Sequence, residues 1–342
     1  EEARAKGYLV KTQRGETYVI ETAGFPAVLL DLTNADARVW IKEVIKENLI
    51  GNGLSGWMAD FGEWLPFDAA LHSGEDAAAY HNRYPVEWAK LNREAIAEAG
   101  KTGEVFFFTR AGFTGSNGQS TLFWAGDQMV SWDEHDGLAS SITGLLSGGV
   151  SGMALNHSDI GGYTTISSAL KNYHRSEELF KRWAEANAFT PVFRTHEGNR
   201  PELNHQFYTD NETQAHFAKM GKLHVALYPY FKALEQEAQA TGHPVIRHPW
   251  LHYFEDEHTL PLKGQFMVGP DLMVYPVLSP TAITVSGYVP EGTWTNPRSG
   301  EVVVGPGTFK ISAPLGEPAA FIRKGGLWEA GLTKALTHYD AP

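Results

Sequence analysis

GWMADFGEWL, residues 56–65, begins apolar and ends on carboxylates set among glycine and aromatic residues. That composition is expected where a buried strand ends and a loop turns over a polar pocket. The same texture returns in WAGD, 124–127, and in NHSDIGGY, 156–163. Asp60 and Asp127 are too far apart in the chain to share a helix face. They are placed as the ends of two strands of a repeating β/α fold would be, and in that geometry two carboxylates face one mouth.

Outward from this stretch the chain alternates strand and helix. Upstream, Val28–Leu32 reads as an apolar strand broken only by Asp31. Residues 34–48 then have helical spacing, with Ala37, Val39, Trp40, Val44 and Ile45 on one side and Lys42, Glu43, Lys46 and Glu47 on the other. Gly51 and Gly53 stop that helix ahead of a strand over 57–61. Downstream the order repeats. A helix over 85–99 closes at Gly100, and VFFFT, 105–109, is a strand too continuously apolar to have one face in water, with Arg110 at its end. A short strand over 122–125 leads to Asp127, and a helix follows over 138–146. A strand over 150–154 runs toward His157 and Asp159. After an amphipathic helix over 177–188, a last short strand over 191–194 precedes His196. From Trp57 to His196, each strand end carries a residue able to do chemistry, and a β/α barrel builds its site on that face.

An open doubly wound sheet would gather such residues at one switch point. The expected fold class is therefore α/β, a (β/α)8 TIM barrel. Its first strands are expected to be absent from this chain, which opens inside a helix over Glu1–Lys6 stopped by Gly7. After a long helical reach over 212–240 the pattern changes to short period-two strands, with turns expected at 290–292 and 305–307. We expect residues 1–242 to be the later strands of a catalytic barrel and 243–342 to be a C-terminal antiparallel β-sandwich domain.

Composition narrows the function. Lys and Arg number 28 against 40 Asp and Glu, a formal charge of -12, which is unsuited to nucleic acid or an anionic membrane surface. Cysteine is absent, which removes thiolate chemistry and Cys metal sites and fits a reducing compartment. No stretch has the length of a membrane span, and the opening EEARAKGYLV lacks the layout of a signal peptide. A soluble, cytoplasmic protein is expected. His243, His248, His252 and His258 fall in the β domain without matched carboxylates, so no metal is expected. Gly161 and Gly162 lack the GxxxxGK[ST] pattern of a phosphate loop, and no cofactor is expected.

Five motifs in order, GWMADFGEWLP, FFFTRAGFTGS, WAGDQ, LNHSDIGGYTT and AFTPVFRTHEGNRP, resemble glycoside hydrolase family 31. The resemblance runs over essentially the whole chain. Many α-glucosidases of the family carry a DMNEP-like form around the nucleophile. ADFGEWLP is instead similar to the form in the family's bacterial branch that cleaves α-glycosides of sulfoquinovose. The resemblance implies Asp60 as catalytic nucleophile, Asp127 as general acid/base and Glu63 as a supporting carboxylate. It implies Arg110, Asp159 and His196 as polar residues lining the sugar subsite. Trp124, from its place before Asp127 in WAGD, is expected to bury the Asp127 carboxyl and to line the substrate site. Tyr163, where α-glucosidases commonly have Phe, matches a tyrosine that contacts the sulfonate. An Arg and a Trp that hold the sulfonate in this branch come from upstream segments, which the sequence given does not include.

The chemistry agrees with that assignment. A retaining glycosidase needs one ionised carboxylate to attack the anomeric carbon and one protonated carboxyl to protonate the leaving oxygen, about 5–5.5 Å apart. Arg110, at a neighbouring strand end, supplies donors for the first. Taken singly, each residue has a plainer reading. Asp60 and Asp127 would serve as turn residues and Glu63 as a backbone partner. His157, Asp159 and His196 would serve in structural hydrogen bonds, and Trp57, Trp64 and Trp132 as core or rim packing.

The expected function is hydrolysis of α-sulfoquinovosides such as sulfoquinovosyl glycerol, with a small sulfonated glycoside as partner. An α-glucosidase or α-xylosidase of the same family is the alternative, and a non-catalytic fragment is a third class. A homo-oligomer and an upstream segment on a second polypeptide are left open. Expressed alone, the chain is expected to be inactive or poorly folded.

Overall fold

A computed structural model describes residues 1–22, 24–168 and 171–339 of the chain. The chain divides into two compact units, Glu1–Phe123 and Trp124–Pro342. In the first, three strands run parallel: Gly56–Met58, Phe106–Thr109 and Leu122–Trp124. Trp57 pairs with Phe107, and Phe108 with Leu122. Phe107 and Phe123 are buried, as continuous apolar strands of a parallel sheet require.

Helices Ala35–Ile45 and Tyr84–Glu98 accompany this sheet. Asn34 caps the first through Asp36 N and Ala37 N, and Pro85 sits in the opening turn of the second, where its missing N–H costs nothing. Ala89 and Ile96 pack with Phe107 and Ala59 in one apolar cluster. Arg38 joins the two helices through Glu87 at 3.1 Å and Glu94 at 3.0 Å. The strand expected over Val28–Leu32 does not form. Only Leu30 bridges, to Leu9, because buried Asp31 gathers donors from Thr33 N and His72 N and bends the chain into the Asn34 cap.

In the second unit the helix Leu138–Val150 runs past its expected end and takes up the start of the strand expected over 150–154. Its SGG close allows this. A Cβ at Gly149 would lie 2.9 Å from Ile246 O, so glycine lets the helix lie against that backbone. The strand follows later, at Asn156–His157, and Ala125 N donates to His157 O at 2.8 Å. Parallel bridges join Ile160 to Thr195 and Met129 to Thr164. The expected strand over 191–194 is reduced to the first of these bridges. The helix Glu177–Asn187 starts at a Ser176 cap and is buried from Leu179 onward. The long helical reach divides into Asn211–Ala226 and Tyr228–Thr241, because Pro229 has no N–H to continue the ladder.

The C-terminal strands form one antiparallel sheet in the order Val302–Ser312, Thr284–Thr295, Ala319–Arg323, Leu272–Tyr275, Phe266–Val268, Ile246–Arg247. Alternate residues face opposite sides. Phe266, Val268, Leu272, Val274, Ala320 and Ile322 join the cluster of Trp183 and Tyr230, whereas Met267, Met273, Tyr275 and Phe321 pack with Trp294 and Ile311. The turns expected at 290–292 and 305–307 lie inside the longest strand pair, at a bulge between Val289 and Gly292. A Cβ at Gly305 would lie 2.1 Å from Pro290 O, so glycine there serves close backbone approach within a bulged ribbon. A parallel barrel core is thus joined to an antiparallel C-terminal β domain, closed by a helix Glu329–His338 that packs Leu332 and Leu336 inward. Among the described residues no helix is long and apolar enough to cross a membrane.

Burial holds His216 and His252 down to about 4, below the ordinary 6.5. His216 faces Lys181, Lys219, Arg182 and Glu185, and His252 faces Arg247, His243, Glu237 and Arg323. Because the folded state takes up these protons later than the unfolded one, their neutral forms cost nothing above pH ~6.5, and stability falls as pH drops toward about 4. The loss should be on the order of 3 kcal/mol for each histidine, at ~1.4 kcal/mol per unit of pKa difference. Calorimetry of the full-length protein should show a falling Tm over that window and a flatter profile in His216→Gln/His252→Gln. An unchanged slope in the double variant would contradict this.

Candidate active site

Asp60 lies just past the strand Gly56–Met58, after Ala59, whose N–H donates to Phe108 O at 2.9 Å. That bond keeps the chain in sheet register up to the carboxylate. Beyond it the backbone is strained: Phe61 and Trp64 have φ of 58° and 74°, and Gly62 lies between them at 87°. Left-handed φ at a non-glycine residue costs about 1–3 kcal/mol and persists only where surroundings impose it. Here the Arg110 guanidinium stacks 4.6 Å from the Phe61 ring centroid, Trp64 packs 5.1 Å from the same ring, and a Cβ at Gly62 would meet Trp88 at 2.8 Å.

Arg110 ends the strand Phe106–Thr109 and organises this loop. Its Nε and Nη2 donate to Glu63 Oε1 at 2.9 and 2.6 Å, and Nε lies 3.5 Å from Asp60 Oδ1. Asp60 Oδ1 also accepts from Phe61 N at 2.7 Å. Asp60, Glu63 and Arg110 therefore come together. Glu63 fixes the guanidinium, the guanidinium faces Asp60, and 37% of the Asp60 side chain stays accessible to a reactant.

The remaining expected residues gather in the second unit. Asp127 sits at an exposed loop tip, whereas Trp124 is buried in the strand before it. The loop is tied to NHSDIGGY: Thr164 Oγ1 donates to Asp127 O at 2.8 Å, and Tyr163 N to Gln128 O at 2.8 Å. Gly162 permits that approach, since a Cβ there would lie 2.9 Å from Met129 O. Tyr163 meets the His196 ring edge-on, centroids 4.8 Å apart. His196 Nδ1 accepts from Gly198 N at 3.0 Å, which directs Nε2 away from the backbone. Burial holds the His196 pKa below its usual value, helped by Arg194, while Asp127 acts in the opposite sense.

Asp159 is fully buried and paired with Arg194, whose Nε also lies 3.3 Å from His157 Nε2. Arg194 thus links His157 and Asp159. Sequence reading did not single it out, although a cation two residues before His196 at a strand end was a visible signal. Arg175 was missed entirely, since HRSEEL reads as an exposed helix start. Among the described residues one cluster of metal-ligand type, Glu177, His205 and Asp210, brings donor atoms within 4.8 Å. Its members are already engaged: Glu177 by Lys181, His205 by Thr213 Oγ1 at 2.7 Å, and Asp210 as helix cap to Thr213 N at 2.7 Å.

Residues 1–234 match the glycosyl hydrolases family 31 TIM-barrel domain, and residues 242–327 the glycosyl hydrolase family 31 C-terminal domain. The chain belongs to glycosyl hydrolase family 31. Within the family it is 48% identical to a sulfoquinovosidase of Escherichia coli K12, over 96% of this chain and 48% of that protein. It is 44% identical to a sulfoquinovosidase of Agrobacterium fabrum, over 94% of this chain and 48% of that protein. A solved family 31 sulfoquinovosidase from E. rectale, in complex with an aza-sugar inhibitor, superposes with a TM-score of 0.93 at 42% identity. It covers 98% of this chain and 50% of that one. The chain spans about half the length of the curated relatives it matches.

Proposed function

We propose that this chain carries the catalytic carboxylates of a retaining α-glycosidase that cleaves α-sulfoquinovosides. Similarity to three sulfoquinovosidases over nearly the whole chain is the observation that carries the reading. Asp60 attacks the anomeric carbon, and Asp127 protonates the departing oxygen, giving a glycosyl ester on Asp60. Asp127, now a carboxylate, then takes a proton from water, whose oxygen attacks the anomeric carbon and frees Asp60. Two inversions leave the sugar in its starting configuration.

In this reading Arg110 orients Asp60 and Glu63 holds Arg110. Asp159 and His196 serve the sugar hydroxyls, Asp159 with the help of Arg194. Tyr163 donates to the sulfonate, directly or through water, as a neutral donor in a chain of net charge -12. The barrel ends near residue 242, where the β domain begins. Proton NMR of the first-formed sugar from an α-sulfoquinovoside tests the mechanism in the full-length protein. The α-anomer is expected to appear first, and an initial β-anomer would overturn the assignment of Asp60 as nucleophile.

A further inference from the structure

Arg175 is buried, with 2% of its surface exposed, and among the described residues no carboxylate forms an ion pair with it. A buried guanidinium without a counter-ion is costly unless every N–H finds an acceptor. Here neutral acceptors hold its N–H groups, while the Asp159 and Glu197 carboxylates favour its charge from beyond ion-pair distance. Nε donates to His205 O at 2.8 Å, Nη1 to His196 O at 2.8 Å and Gly162 O at 3.2 Å, and Nη2 to Gln206 Oε1 at 2.7 Å and Glu197 O at 3.2 Å. Burial lowers its pKa only to about 10, so it stays charged at neutral pH. A planar fork with five N–H donors can meet this set, whereas a lysine with three converging donors cannot.

These acceptors lie on the segments that deliver the candidate site. Gly162 immediately precedes Tyr163, and His196 is itself a site residue. The fit is close, because a Cβ at Gly161 would stand 2.4 Å from Arg175 Cδ in a backbone already at φ +89°. Tyr163 and His196 meet ring to ring at 4.8 Å, so a shift of either segment moves one against the other. Neither residue is near the other in sequence. Arg175 hydrogen-bonds to both of their segments, at Gly162 O and at His196 O.

We propose that Arg175 is a positioning residue that locks Tyr163 against His196 and thereby sets the preference for an anionic sugar over its neutral counterpart. The inference rests on the reading of Tyr163 as the sulfonate contact. The Ile160–Thr195 bridge and the bond from Asn199 N to Tyr163 O at 3.2 Å still join the two segments without Arg175, so a lost clamp would loosen the Gly162 and His196 carbonyls between these ties, and a displacement of about 1 Å can cost on the order of a hundredfold in rate. The loss should be greater on the sulfonated substrate, which needs the Tyr163 donor in place as well as the His196 contact to the sugar hydroxyls that both substrates share. A neutral glucoside needs only the second.

Arg175→Lys and the milder Gln206→Met, which removes the Oε1 acceptor of Arg175 together with the Nε2 donor to Glu197 O and Pro201 O, test this in the full-length protein. Chromogenic α-sulfoquinovoside and α-glucoside are compared for each variant, alongside Tm and a crystal structure of Arg175→Lys. In that variant kcat/KM on the sulfonated substrate should fall about a hundredfold, mainly through KM, with less than about a tenfold change on the glucoside. Gln206→Met should shift the ratio the same way by less. The Tyr163–His196 ring contact should be lost in the Arg175→Lys crystal. Equal fractional losses on both substrates, or a retained ring contact, would overturn the proposal and leave Arg175 a structural residue. If the unaltered protein shows no preference for the sulfonated substrate, the substrate reading fails instead, and the crystal structure still decides the clamp.

Discussion

Exchange of Asp60 for Asn in the full-length protein is expected to abolish turnover, with a loss beyond about 10⁴-fold, while the fold stays intact. Asn retains an oxygen that can accept from Phe61 N and face Arg110, so the hydrogen bonds that hold the loop survive. What disappears is the anion that attacks carbon. Asp127→Asn is expected to cost about 10² to 10⁴-fold. Its loop is tied through the Asp127 main-chain carbonyl to Thr164 Oγ1, a contact indifferent to the side chain. The deficit should be greatest on poor leaving groups, and azide should partly restore the Asp127→Asn rate by attacking the glycosyl ester without general-base help. Steady-state kinetics with Tm as a folding control decides the matter. Undiminished activity in Asp60→Asn at unchanged Tm would remove Asp60 from the chemistry.

Much of this arrangement was legible because continuous apolar runs ending in a polar residue mark parallel strands from sequence alone. VFFFT ending at Arg110 is an example. The Asp60 loop was legible as a site but not in its geometry. Nothing in ADFGEW announces that Phe61 and Trp64 adopt left-handed φ, since that strain is imposed by Trp88 and by Arg110, which lies far along the chain. Glycine was the commonest source of error. In the SGG run it extends a helix against Ile246, and at 292 and 305 it serves a bulge inside a ribbon, whereas Gly7, Gly53 and Gly100 stop their helices with left-handed φ as expected. Arg175 was illegible because a buried cation satisfied by main-chain carbonyls has no partner residue type for a pattern to show.

The largest expected effect on specificity concerns the sulfonate. It is anionic at working pH and lies where a glucoside carries a C6 hydroxyl, so a pocket built to donate to it loses little by rejecting the neutral sugar. A site with polar groups committed to one substrate can reject an analogue lacking them by 10⁴ or more, whereas apolar fit alone gives about a hundredfold. Tyr163 supplies one such donor, worth about 1–3 kcal/mol, so Tyr163→Phe should lower activity on the sulfonated compound roughly tenfold to a hundredfold and narrow the ratio. Its ring would still pack against His196. The most direct test is to measure kcat/KM of the full-length protein on matched chromogenic α-sulfoquinovoside and α-glucoside, side by side at neutral pH. The sulfonated substrate should be favoured by about 10³-fold or more. Equal rates, or faster cleavage of the glucoside, would contradict the account and leave Tyr163 as packing in an α-glucosidase.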